Sequence, residues 1–210
     1  MPYVHRLVPI LLASSALLTA CSKHDAPATD STDVATVPVK PAANACSASP
    51  TPPITAGGIG PVRVGSSVAD VASNCPTHDT TFALEGMTER GKVIRFGPYA
   101  LTAITTGTGD SSISRVIVTD TGFHTDRGIG VGSRVRDLRD AYGQVCATTG
   151  EGKVVVSAAA LPGISFATSV SPARLPSRGR TVSRNPSIVP DSARITSLWI
   201  FEGRSLCGGS

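Results

Sequence analysis

The chain has 210 residues, of which 16% are charged and 40% hydrophobic, with 21 glycines and 16 prolines. That glycine and proline content excludes a helical bundle or a coiled coil, and it stays below the level of collagen or a wholly low-complexity chain. A net charge of +4 is too small to argue for a nucleic-acid partner, and none is expected.

Residues 1–6 are polar and include Arg6, whereas residues 7–20 (LVPILLASSALLTA) form an apolar run of fourteen. Such a run is too short to cross a roughly 30 Å hydrocarbon layer and has the length of a signal-peptide core. It ends Leu18-Thr19-Ala20-Cys21, which resembles the lipobox of bacterial lipoproteins. The resemblance implies cleavage before Cys21, a diacylglyceryl group on its thiol and a fatty acyl chain, such as palmitate, on the new amino terminus. Ser22 follows, where an Asp would resemble the inner-membrane retention signal. The expected location is the outer membrane, lipid-anchored and facing the periplasm, since several acyl chains together anchor stably.

Residues 21–57 comprise this cysteine and a segment rich in Ala, Thr, Ser and Pro, with no aromatic residue. Too little apolar surface is available there to offset the entropy of ordering, so a disordered tether is expected. Lys23 and Lys40 nearly balance Asp25, Asp30 and Asp33. Residues 58–210 are long enough to bury roughly 70% of their unfolded surface.

Within that region a motif recurs. Val64-Gly65-Ser66-Ser67-Val68-Ala69-Asp70-Val71 aligns with Val131-Gly132-Ser133-Arg134-Val135-Arg136-Asp137-Leu138, and Gly-Ile-Gly precedes both. Further on, Asp110–Val118 matches Asp191–Ile200 with one insertion. Two matches in the same order predict a duplicated unit, residues 58–125 and 126–210. Each copy of the motif leads into a short amphipathic helix. Val135, Leu138 and Tyr142 share one helical face, as do Val68 and Val71 in the first copy. Ser67 with Asp70 resembles a capping box, Ser133 is the capping candidate in the second copy, and Pro76 and Gly143 end the helices. Strands are expected at 82–84, 92–96, 99–104 and 113–119, then at 153–157, 163–168 and 195–201, from β-branched runs between Gly and Pro. The predicted fold is α+β: two tandem units, each a short helix packed on a small antiparallel sheet.

Val64, Gly65, Ser67, Asp70, Val71 and Pro76, with Val131, Gly132, Asp137, Leu138 and Gly143, resemble the helix motif of the SmpA/OmlA lipoprotein family. They are also similar to the tandem-repeat β-lactamase-inhibitor proteins. The first resemblance implies service to outer-membrane protein assembly. The second implies a protein that holds or inhibits another protein through a broad sheet face.

Chemistry-bearing motifs are sparse. The glycines at 128, 130 and 132 lack the spacing and the lysine of a phosphate loop. Gly-x-Ser-x-Gly and HExxH spacings are absent too, so neither a hydrolase elbow nor a zinc site is expected. His78 and His124 each have a nearby acid, Asp79 and Asp126, and read as surface-loop residues. No cofactor is expected. Beyond Cys21 four cysteines remain, Cys46, Cys75, Cys146 and Cys207, an even number for an oxidising compartment. Three pairings are possible. Cys146 with Cys207 is favoured, because the end of the second helix should lie near the last strand; Cys46 with Cys75 follows.

Two further features bear on partners. Arg134, Arg136 and Arg139 share a helix with Asp137 and Asp140 at self-pairing spacings. Residues 171–190 carry Arg174, Arg178, Arg180 and Arg184 and have no counterpart in the first unit, so an anionic ligand or a solvated loop is expected there. In the last strand Trp199 and Phe201 alternate with Leu198 and Ile200. If Leu198 and Ile200 fill the core, Trp199 and Phe201 stand on the open sheet as binding anchors; the alternative buries Trp199. The expected function is a non-catalytic envelope lipoprotein that binds or inhibits another envelope or periplasmic protein. An outer-membrane assembly accessory and a periplasmic hydrolase are the alternatives.

Overall fold

The computed structural model describes residues 45–47, 49–84, 86–174, 188–203 and 207. Three two-residue strands, β1 (Ile54–Thr55), β2 (Gly58–Ile59) and β3 (Val62–Arg63), form a small antiparallel sheet in that order. Helix α1 (Val68–Asn74) follows, then four strands: β4 (Thr77–Leu84), β5 (Met87–Phe96), β6 (Tyr99–Thr106) and β7 (Ser112–Val118). Helix α2 (Val135–Tyr142) precedes four more: β8 (Val145–Gly150), β9 (Lys153–Ala158), β10 (Ile164–Thr168) and β11 (Ile195–Phe201).

The eight long strands make one antiparallel sheet, in the order β4-β5-β6-β7-β11-β10-β9-β8. Strands β7 and β11 join its halves, with Val118 opposite Leu198, Ile117 opposite Trp199 and Val116 opposite Ile200. This corrects the expected α+β architecture. The molecule is mostly β, with a three-stranded and an eight-stranded sheet and two short helices among the described residues, not two tandem helix-on-sheet units. The physical reason lies in β7 and β11. Each is apolar on both faces, as suits an interior strand, so the two meanders share a ladder instead of ending in edges. Their side chains also share one core. Val71 of α1, Leu138 of α2, Ile59 and Val62 of the small sheet, and Phe96, Phe166, Leu198 and Ile200 of the large sheet pack into a single cluster.

The matched glycine motifs take equivalent places. Gly65 and Gly132 both adopt positive φ, at 84° and 93°, just before α1 and α2. Ser67 caps α1 by accepting the Asp70 N–H at 3.4 Å. Ser133 plays another part: its Oγ accepts the Gly130 N–H at 3.1 Å and fixes the turn. At α2 the capping acceptor is the Asp137 carboxylate, 2.9 Å from the Arg134 N–H. Arg139 of α2 forms an ion pair with Asp191, which lies before β11. Residues 45–47 and 49–57, assigned to the tether by composition, contribute to the fold: Cys46 is 1% exposed and Ile54 2%. Cys46 is bonded to Cys75 at the end of α1, and the Ile54 N–H donates to the His124 carbonyl at 2.8 Å. Cys21 and residues 1–44 lie outside the described residues. Among the described residues no helix is long and apolar enough to cross a membrane.

The first half of the sheet must curve, because Phe82 of β4 packs in one cluster with Trp199 of β11, four strands away. Gly91 of β5 pairs with Ile104 of β6, and the β6–β7 register shifts between Ile104 and Thr105. A Cβ on Gly91 would lie 2.6 Å from the Ala103 carbonyl oxygen, so only glycine lets the strands approach this closely. Gly91→Ala is expected to destabilise the domain by about 1–3 kcal/mol, read from the urea midpoint.

Two disulfides staple the fold, Cys46–Cys75 with a Cα–Cα distance of 5.2 Å and Cys146–Cys207 with 5.4 Å. The second closes a sequence separation of 61 residues. Replacing both Cys146 and Cys207 with Ser should cost about 4 kcal/mol of unfolding free energy in the chain-entropy view, measured by denaturant titration.

Candidate functional site

One face of the large sheet is covered by the helices and the small sheet. The other carries a second apolar cluster: Ile104, Ile117, Val155, Ala167 and Trp199 are buried, with Phe82 and Phe201 partly buried against them. Strand period two puts these side chains together. Ile117 lies directly opposite Trp199, Ala167 opposite Ser197, and Val155 opposite Ala167. Leu198 and Ile200 point the other way and are fully buried in the main core. Trp199 is therefore on the second face, as its alternation with Leu198 requires, yet it is only 8% exposed. Phe201 is half-buried beside it.

A cleft of about 170 Å³ opens over Trp199. Its floor is Ile117, Ser197 and Trp199, all buried. Half-buried Phe82 and Glu151 form walls, and exposed Ala83, Thr119 and Lys153 surround the mouth. Phe82 and Ala83 belong to β4, four strands away from β11. In a flat sheet those strands would lie about 19 Å apart. Curvature of the sheet between β4 and β11 closes that gap.

Charge is placed on one wall. Glu151, held at φ 50° in the tight β8–β9 turn, is ion-paired with Arg115 of β7. Their side chains are 18% and 28% exposed, so the pair is half-sheltered and anchors the turn at the cleft. The floor holds an unusual group: the Ser197 hydroxyl is buried and has no hydrogen-bond partner among the described residues. Buried polar groups are rarely left in this way.

Other concavities differ in kind. A groove of about 540 Å³ is lined by Lys92 paired with Asp79 and Arg90 paired with Asp110. The Lys92 ammonium, by hydrogen bond and charge, holds the Asp79 carboxyl below the usual carboxylate range. Beside α2, Arg127 stacks over the Tyr142 ring at 5.0 Å, and the Tyr142 hydroxyl donates to Asp126 at 2.5 Å. Burial, first, and the Asp126 carboxylate push the Tyr142 phenol above its usual value. Among the described residues no three or more of His, Cys, Asp and Glu gather as a metal site.

The residues named from sequence therefore fall in separate places. The four cysteines form the two disulfides, and Trp199 and Phe201 lie together on the second face. Arg174 ends a 3-10 turn, Pro172–Arg174, while Arg178, Arg180 and Arg184 lie outside the described residues, as does Cys21. Ser197, Ile117, Phe82, Glu151 and Lys153 were not singled out. Ser197 was within reach, because it sits two positions before Trp199 and so shares its face. Nothing local marks Phe82 or Glu151, which arrive through the curvature of the sheet and the β8–β9 turn.

Burial of Trp199 has a consequence for stability. Trp199→Ala is expected to cost roughly 3–5 kcal/mol, read by urea unfolding, because the indole fills the centre of the second cluster.

No protein-family model matches this chain, and no curated protein matches it. Among solved structures it is similar to the uncharacterized protein YfeY from Escherichia coli, with a TM-score of 0.47 and 17% identity over 71% of this chain and 99% of that one.

Proposed function

We propose that this protein is a non-catalytic lipoprotein of the cell envelope that binds another envelope or periplasmic protein through the second face of its eight-stranded sheet. The observation that carries the reading is the apolar cluster on that face, open at the cleft over Trp199. An antiparallel sheet with one covered face normally turns polar side chains outward on the other. Here the outward positions hold Ile104, Ile117, Val155 and Trp199, with the half-buried rings of Phe82 and Phe201 at the margin. Interfaces draw their energy from such aromatic groups, seated in partly desolvated pockets and ringed by polar residues. Thr119 and Lys153, together with the Arg115–Glu151 pair, supply that polar ring.

The anchor is Cys21 in this reading, with lipid holding the chain at the outer membrane and residues 22–44 as the tether. The sequence Leu18-Thr19-Ala20-Cys21 supports it. An anionic ligand at Arg174, Arg178, Arg180 and Arg184 stays a secondary proposal, supported by the run of arginines alone.

A photo-crosslinking amino acid at position 153, on the cleft's mouth, tests the binding surface in the lipidated full-length protein. A second at position 136, exposed on α2, is the comparison. One protein adduct, formed from 153 and not from 136, is the expected result. Adducts of equal yield from both positions, or none from 153, would remove the sheet face as the binding surface.

A further inference from the structure

The eight-stranded sheet ends in two edges that are finished differently. Strand β8 has six residues and is tied near its start, at Cys146, to Cys207. Strand β4 has eight, contains no proline or lysine, and pairs with β5 without a register shift from Thr77 with Ile94 to Leu84 with Met87. Natural sheets guard an exposed edge with bulges, prolines or lysines, or cover it. Strand β4 has none of these guards, and among the described residues no strand or loop bonds to its outer side.

One bond shows which main-chain groups are left over. The Arg95 N–H donates to the Pro76 carbonyl at 3.1 Å, so Pro76 and Arg95 form a hydrogen-bonded pair that continues the β4–β5 register. Such pairs alternate along an antiparallel ladder. His78, Thr80, Phe82 and Leu84 therefore turn their N–H and C=O groups toward β5, while Thr77, Asp79, Thr81 and Ala83 turn theirs outward. The outward row receives one side-chain contact, from the Thr80 hydroxyl to the Thr81 carbonyl at 3.5 Å. A row of alternating donors and acceptors is matched by another strand.

Any extended chain can bond to that row, and the side chains select among them. Consider β4 set antiparallel against a second copy of itself, with Thr80 at the two-fold axis. Thr77 then faces Ala83 and Asp79 faces Thr81, so all four outward residues pair with outward residues. Centring on Asp79 would oppose two carboxylates, and centring on Thr81 would leave Thr77 past the end of the other strand. In the Thr80 register threonine meets threonine, and the Asp79 carboxylate meets a threonine hydroxyl. On the second face, which carries Phe82, His78 of each copy meets Phe82 of the other. Cross-strand pairs of these kinds stabilise sheets, whereas like charges directly opposite oppose pairing. Asp79, the one acidic residue of β4, is also balanced by Lys92 of its own sheet. We infer that β4 is a homodimer interface, at which two copies of the chain join their sheets edge to edge about Thr80. The axis is normal to the sheet, so the second faces of both copies, and the clefts over Trp199, open on the same side.

Disulfide capture tests the interface in the full-length protein, in membranes of the cells that produce it. At the axis the two Thr80 residues are a non-hydrogen-bonded pair, with Cα atoms about 4.5 Å apart, a distance that a disulfide spans. Thr80→Cys is expected to give a covalent dimer. Thr81 is the more exposed of the two, but it faces Asp79 of the other copy, so Thr81→Cys should give roughly tenfold less. A second pair is independent of position 80: differently tagged Thr77→Cys and Ala83→Cys chains, produced together, should join to each other and not to themselves. Mass mapping of Cys46–Cys75 and Cys146–Cys207 confirms the fold of each variant. No dimer from position 80, equal yields from 80 and 81, or no preference for the mixed 77–83 dimer overturns the interface. Each result does so whether or not position 153 crosslinks a partner, so the dimer and the binding function fail separately.

Discussion

The ladder between β7 and β11 is the contact on which the architecture depends. Four residue pairs, from Val118 with Leu198 to Arg115 with Phe201, join two meanders into a single sheet. Every buried residue of these strands then serves two neighbours. Val116, Val118, Leu198 and Ile200 supply the centre of the main core, and Ile117 and Trp199 the centre of the second cluster. Without the ladder, each meander would present an exposed apolar edge strand, the feature that invites aggregation. With it, the edges fall to β4 and β8. Strand β4 is rich in Thr, His and Asp, and β8 is tied at Cys146 to Cys207.

The second face follows from the same pairing. Central strands bury both sides, so the apolar residues at positions 117 and 199 are structural before they are anything else. Function enters where burial is incomplete. Curvature of the sheet brings Phe82 to the cleft wall but does not seal the cleft. A floor packed against the main core on one side and the second cluster on the other makes a cleft with little freedom to move. Little ordering is needed on binding, which lowers the cost of association.

Local features of the fold were legible in the sequence. The spacing of Val135, Leu138 and Tyr142 by three and four positions located α2, the glycines at 65 and 132 located the turns, and alternation put Trp199 on the face opposite Leu198 and Ile200 while leaving open which face is the main core. The disulfide pairing also followed, from the place of Cys146 after a helix. The joining of the meanders was not legible, because strand pairing is set by contacts between residues 115–118 and 198–201, far apart in the chain. The strands of the small sheet have two residues each and carry no periodicity. Strand β8 (VCATTG) is short, and its Thr and Gly content reads as turn. The cleft was hidden for a related reason: Phe82, Glu151 and Ser197 are 46 or more positions from one another, and only the curvature of the sheet gathers them.

The Cys46–Cys75 bond also decides how the domain bears tension. The small sheet and all of α1 lie inside the covalent loop from residue 46 to residue 75. A pull on the chain from the amino-terminal side enters at Cys46 and crosses the sulfur bridge to Cys75, directly before β4. Residues 47–74 are thereby outside the load path. Strands β1 to β3, each held by few hydrogen bonds, cannot be peeled away in sequence by that force. Tension is delivered instead to the edge of the eight-stranded sheet, where the eight paired positions of β4 and β5 resist it together.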